Sequence, residues 1–136
     1  MAGKHFSDSE LECHCFRCKS QHTADKVSTL FVQRLDCLRE IVGKPINVSD
    51  CYRCPDHNRE VGGSPNSQHL AGLAADIYVG DPYDFSAAAR KEYADFYQAV
   101  LNSKLFDGVG CYPNGLFVHV DMRDGGIHPN KYRWEE

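Results

Sequence analysis

The run LFVHVDM, residues 116–122, constrains the fold most tightly. Side chains alternate across a strand, so Leu116, Val118 and Val120 share one face while Phe117, His119 and Asp121 share the other. Such a strand needs an apolar layer against one side. On the other side its histidine and aspartate need polar partners, because burying them alone is costly. A sheet with one face on a core and the other holding a polar spot is the structure this run asks for.

The rest of the chain supplies the parts. GVGCY precedes the run, with Pro113-Asn114-Gly115 as the turn of a hairpin. INVSD (46–50) and LAADIYV (73–79) read as two more short strands. Residues 24–42 place Val27, Leu30, Phe31, Leu35, Leu38, Ile41 and Val42 at helical spacing, closed by Gly43 and Pro45. A second amphipathic helix spans about 85–102, with Phe85, Ala88, Ala89, Tyr93, Phe96, Tyr97, Val100 and Leu101 as its stripe. Ser7-Asp8-Ser9-Glu10 fits a capping box and opens a short helix. Residues 13–22 and the long stretch CYRCPDHNREVGGSPNSQH read as loops, and a loop that long inside a domain is usually functional. The tail after residue 124 carries little pattern beyond a packed Trp134. The expected class is α+β: a small antiparallel sheet with flanking helices, forming a single domain over 1–136.

Composition excludes several functions. A net charge of -4 without a Lys/Arg cluster opposes nucleic-acid binding, and no apolar run approaches the roughly 18–20 residues of a membrane span. The start MAGKHFSDSELEC lacks the apolar core of a signal peptide, so the chain is expected to be cytoplasmic as synthesised. Seven cysteines are an odd number, and without an export signal free thiols or a metal are favoured over disulfides.

In SQHLAGLAADIYV, His69 and Asp76 stand seven residues apart among small and apolar neighbours. Taken singly, each histidine reads as a satisfied core group. Together with His119 they make a two-histidine, one-carboxylate set. Such a set binds Zn²⁺ and leaves its fourth position for water, the catalytic arrangement. A bound zinc would lower the pKa of that water and polarise a carbonyl. The residues alone leave both readings open.

YRCPDHNREVGGSPNSQHLAGLAADI followed by FVHVDMR resembles the zinc D-alanyl-D-alanine carboxypeptidases and peptidoglycan endopeptidases of the M15 metallopeptidase family. The resemblance runs from about residue 6 to 134. It rests on Ser67, His69, Gly72, Ala74 and Asp76 in the motif Ser-x-His-x-x-Gly-x-Ala-x-Asp, with His119 as the later ligand. It implies the small α+β fold shared with the hedgehog signalling domain, a catalytic Zn²⁺ on His69, Asp76 and His119, and a peptidoglycan peptide as substrate. Arg53 matches the arginine that grips the terminal D-alanine carboxylate, a task suited to a planar two-pronged donor. Ser67 either meets substrate or caps its turn.

The general base departs from the family. Members place a carboxylate three residues before the last zinc histidine, where this chain has Leu116, or a histidine shortly upstream, and residues 107–118 contain none. Asp121 is the remaining candidate; it could instead orient a ligating imidazole. His57 and His128 are weaker candidates on loops. Cys13, Cys15, Cys18, Cys51 and Cys54, with His22, form a possible second, structural zinc site, while Cys37 and Cys111 read as small hydrophobes. A monomer is expected. Without a leader, a wall peptidase fits a phage-type endolysin released through a membrane pore. The competing function is a catalytically inactive, zinc-stabilised binding module of the same fold.

Overall fold

A computed structural model describes residues 3–19 and 21–136; Met1, Ala2 and Ser20, the last inside the loop expected over 13–22, lie outside the described residues. The helices are α1 (Asp8–Leu11), α2 (Thr29–Val42), α3 (Pro55–Glu60) and α4 (Ala87–Ser103), with a 3-10 turn at Thr23–Lys26. The strands are β1 (Asn47–Asp50), β2 (Ala74–Tyr78), β3 (Gly108–Tyr112), β4 (Phe117–Asp121) and β5 (Tyr132–Glu135). They form one sheet in the order β1-β2-β4-β3-β5. No helix among the described residues is long and apolar enough to cross a membrane.

The alternation in LFVHVDM decides how the sheet is used. Val118 and Val120 join Ala75, Ile77, Val109 and Cys111 on one face, where Phe31, Leu35 and Leu38 of α2 and Phe96 and Val100 of α4 complete a single buried cluster. The opposite face carries a row of paired residues across all five strands. Asp50 pairs with Asp76, Asp76 with His119, His119 with Gly110, and Gly110 with Trp134. The sheet register alone therefore brings Asp76 beside His119.

Four elements differ from their sequence patterns. The helix expected over 24–42 begins only at Thr29, because Ser28 caps it: its side chain accepts from the Phe31 N–H at 3.3 Å. Leu30 and Ile41 are exposed and Val32 is buried in their place, so the stripe is narrower than the periodicity suggests. Residues 85–102 likewise yield a helix from Ala87 after the Ser86 cap, leaving Phe85 and Ala88 exposed. The long loop contains α3, for which Cys54 is the N-cap and Pro55 an allowed first residue. The tail forms β5, which adds to β3 in parallel, whereas the other three pairings are antiparallel. Cys37 is exposed, not packed as a small hydrophobe; Cys111 is buried, its sulfur 3.2 Å from the Tyr93 hydroxyl.

Candidate metal centre

His69, Asp76 and His119 each offer a ligand atom within 4.8 Å of the other two. His69 Nε2 lies 3.5 Å from Asp76 Oδ1, and His119 Nδ1 lies 3.2 Å from the same oxygen. Zinc bonds of about 2.0–2.1 Å in tetrahedral geometry separate neighbouring ligand atoms by roughly 3.3–3.4 Å. The three donors are thus spaced to share one ion, and the set fits zinc.

Each imidazole is held by its other nitrogen. His69 Nδ1 sits 2.6 Å from the Cys51 carbonyl oxygen, so that nitrogen carries the proton and Nε2 presents its lone pair. His119 Nε2 sits 2.8 Å from Asp121 Oδ2, which leaves Nδ1 to face Asp76. The two rings meet edge to face at 5.2 Å, and Trp134 tilts over His119 at 5.1 Å. Trp134 reaches that place because β3 offers Gly110 beneath it, where a Cβ would come within 2.7 Å of the indole nitrogen.

Charge is arranged around these contacts. Burial by itself would raise the Asp76 carboxyl, but hydrogen bonds and charges of His119 and His69 hold it well below the usual carboxylate range. Asp121 is equally depressed: against its burial stand His119 and the hydrogen-bonded Arg123 guanidinium. Burial would lower the His119 pKa, yet Asp121 and Asp76 overcome it and raise it above the ordinary value.

A cleft of about 710 Å³ opens over the triad, lined by Arg53, Ser67, Tyr112, Trp134 and Glu136 among others. Arg53 is held from two sides, its Nε donating to Asp50 Oδ2 and its Nη1 to Asn58 Oδ1, both at 2.8 Å. Those bonds use two of five guanidinium N–H groups and leave three for a ligand. Gly63 makes room for this pair of residues: a Cβ there would collide with Asn58 Oδ1 and stand 2.6 Å from Arg53 Nη1.

The structure therefore brings His69, Asp76, His119, Arg53 and Ser67 to one cleft. The Ser67 hydroxyl accepts from the His69 N–H at 3.2 Å and so caps the turn that carries the ligand. Asp121 stands behind His119 at 0% exposure, with both oxygens engaged by His119 and Arg123. His57 and His128 do not line the cleft. His128 instead lies on the exposed loop that Asp107 ties down through the backbone N–H groups of Asp124, Gly126 and His128. Sequence reasoning missed Tyr112 and Glu136 as cleft residues. Both follow from β5 lying beside β3, and a four-residue parallel strand leaves almost no pattern.

The sulfur atoms divide differently from the expectation. Cys13, Cys15, Cys18 and Cys54 converge, whereas Cys51 is buried outside that group and His22 does not belong to it. Cys51 contributes its carbonyl to His69 instead of its thiol to the cluster.

Comparison with known proteins agrees with this geometry. The family described as peptidase M15 matches residues 4–121. A zinc D-Ala-D-Ala carboxypeptidase of Streptomyces albus G is 36% identical over 118 residues, covering 80% of this chain and 44% of the relative. The chain thus spans less than half the length of the curated relative it matches.

Proposed function

The chain belongs to the M15 peptidase family, and from that premise we propose that it hydrolyses a peptide bond in peptidoglycan stem peptides, with D-Ala-D-Ala carboxypeptidase activity as the first expectation. The observation that carries the reading is a clamped arginine and a metal-spaced triad lining the same cleft. When bound, zinc would supply a Lewis acid for the scissile carbonyl and an acidified water. Asp76, His69 and His119 would hold it.

The chain's own residues do the rest. Arg53 offers a two-pronged grip for a free terminal carboxylate, and its tethers to Asp50 and Asn58 remove the rotamer freedom that binding would otherwise cost. The Cys51 carbonyl and the Asp121 carboxylate fix the two imidazoles in the ligating orientation. Asp121 is a positioning residue on this reading, because a sealed carboxylate with both oxygens engaged has no path to a substrate proton. Glu136 is the carboxylate on the cleft wall outside the triad, hydrogen-bonded to the Tyr112 hydroxyl, and we assign it the proton-accepting role. The indole N–H of Trp134 donates to the Tyr112 hydroxyl at 2.9 Å, which makes a rigid wall beside it.

The second reading, a zinc-stabilised binding module, is favoured by one observation: Leu116, at the family's base position, is buried in the core. A single assay separates the two. Zinc-loaded protein is incubated with a stem pentapeptide ending in D-Ala-D-Ala, with its C-terminal amide, and with purified sacculi. Release of D-alanine from the free acid but not from the amide supports the carboxypeptidase; cuts within the stem support the endopeptidase. Binding to sacculi without release of any product sinks the hydrolase and leaves the module. A phage-type action on the wall is part of the same proposal; on the endopeptidase outcome it predicts lysis of cells exposed to the protein from outside.

A further inference from the structure

We propose that Cys13, Cys15, Cys18 and Cys54 form a second metal centre, a closed tetrathiolate zinc site that fastens the N-terminal segment to the substrate arginine. The inference does not depend on what the cleft hydrolyses. Four cysteines from two segments some 40 residues apart place their sulfur atoms within 4.8 Å of one another. The Cys13–Cys15 and Cys15–Cys54 sulfur separations are 3.6 and 3.7 Å. A tetrahedral site with zinc–sulfur bonds of about 2.3 Å has edges of roughly 3.8 Å, whereas a disulfide closes to about 2.05 Å. Two edges at tetrahedral spacing, with all four sulfurs within 4.8 Å of one another, match one ion better than two bridges.

Donors suited to thiolates are already present. The Cys54 N–H points at Cys13 Sγ from 3.4 Å, and the His57 N–H, in the first turn of α3, points at Cys54 Sγ from 3.3 Å. On binding, four thiols give their protons to solvent and Zn²⁺ joins four thiolates, so the centre carries a net charge of -2. Those N–H groups offset part of that charge. The Arg17 guanidinium, which also pairs with Glu60, interacts with the Cys15 sulfur and offsets more. Four protein ligands leave no open position, so the ion is structural and not catalytic.

What it would stabilise is visible in the chain around it. Helix α1 is one turn long, and residues 13–19 form turns without a helix or strand. The segment is tied to the rest of the fold by single contacts: Cys13 N–H donates to the Thr23 hydroxyl at 2.7 Å, Tyr52 N–H donates to the Leu11 carbonyl at 3.1 Å, and Arg17 pairs with Glu60. Cys54 follows Arg53 directly and caps α3, whose Asn58 clamps the arginine. An ion on Cys54 therefore steadies the backbone next to Arg53 and the helix that carries Asn58.

The test counts metal and reads its ligands. The double variant His69→Ala, His119→Ala empties the cleft site. It is purified under reducing conditions with zinc and assayed for metal by elemental analysis. About one zinc per chain is expected to remain. Cobalt exchanged into its place should show thiolate-to-cobalt charge-transfer bands and the intense visible absorption of tetrahedral cobalt. Adding Cys15→Ser or Cys54→Ser should remove the metal, while Cys37→Ser should not. If the double variant fails to fold, wild type gives the same answer: two zinc ions per chain, one of them released by a mercurial thiol reagent. A folded double variant with no zinc and no charge-transfer band overturns the proposal. So does a wild type with a single zinc that thiol modification leaves in place, or a freshly purified chain whose mass shows these four cysteines as disulfides.

Discussion

Replacing Asp121 by Asn separates holding the metal from moving the proton. The carboxylate is fully buried and takes the His119 Nε2 contact at 2.8 Å together with three donors of Arg123. Asparagine keeps the size, which matters because Gly108 leaves no space beside the carboxylate, but it removes the charge that favours an imidazole donating from Nε2. Losing such an orienting partner costs about 10–100-fold in metal affinity, or roughly 1.4–2.7 kcal/mol. Arg123 is partly exposed and packs 4.6 Å over the Tyr132 ring, so its lost partner adds a modest folding cost of about 1–2 kcal/mol. The assay is a zinc competition titration against a chromophoric chelator, with peptide hydrolysis measured at limiting and at saturating zinc. Weaker zinc binding, with activity largely restored by excess metal, is the expected result. Unchanged affinity with activity lost at every zinc concentration would make Asp121 the base and refute the positioning argument.

Other perturbations probe the same cleft. Arg53→Ala should lower kcat/KM on a free-acid substrate by about 10–150-fold, the worth of a hydrogen bond to a charged group, and leave the already poor amide substrate unaffected. Equal losses on both substrates would remove the arginine from carboxylate recognition. Gly63→Ala should destabilise the fold by about 1–3 kcal/mol in denaturant unfolding and raise KM, because the new methyl displaces Asn58 and Arg53. A variant as stable as the parent would show that the clamp is loose. The raised His119 pKa sets the pH dependence. In the metal-free protein, protonated His119 contributes stability that is fully present below about 6.5 and is lost as pH rises through the raised value. Zinc needs the lone pair, so its apparent affinity should fall about tenfold per pH unit below that value. Isothermal titration across this range checks it, and a flat profile would place the metal elsewhere.

How much of this could be read from the sequence depended on whether one chain segment held the signal. The period-two run of β4 placed His119 and its apolar neighbours correctly because alternation is a local property. The capping box before α1 and the strand GVGCY were legible for the same reason. Helix starts were misread by two to five residues, since apolar periodicity continues across Ser28 while the cap hydrogen bond decides where the helix begins. β5 was invisible: its partner is β3, some 24 positions earlier, and only tertiary pairing makes YRWE a strand. Glu136 and Tyr112 were missed with it. The cysteine group was half legible. Cys51 and Cys54 carry ribbon-like spacing, but only Cys54, the N-cap of α3, places its sulfur with those of the N-terminal segment.

That last detail explains why one short segment is so densely used. Asp50 ends β1 and tethers Arg53; the Cys51 carbonyl orients His69; Arg53 enters the cleft; Cys54 caps α3 and joins the thiol cluster; Asn58, one turn on, closes the clamp. The order is forced by geometry. A strand end fixes Asp50 in the row that continues through Asp76 and His119, and extended residues alternate, so neighbouring groups serve opposite sides. Capping by a cysteine sulfur then starts the helix at the position that returns Asn58 to Arg53. The Arg53 clamp and the orientation of His69 therefore share a backbone only a few residues long. A disturbance at the thiol cluster should reach Arg53 and His69 together, appearing as a raised KM and a weakened catalytic zinc in the same variant.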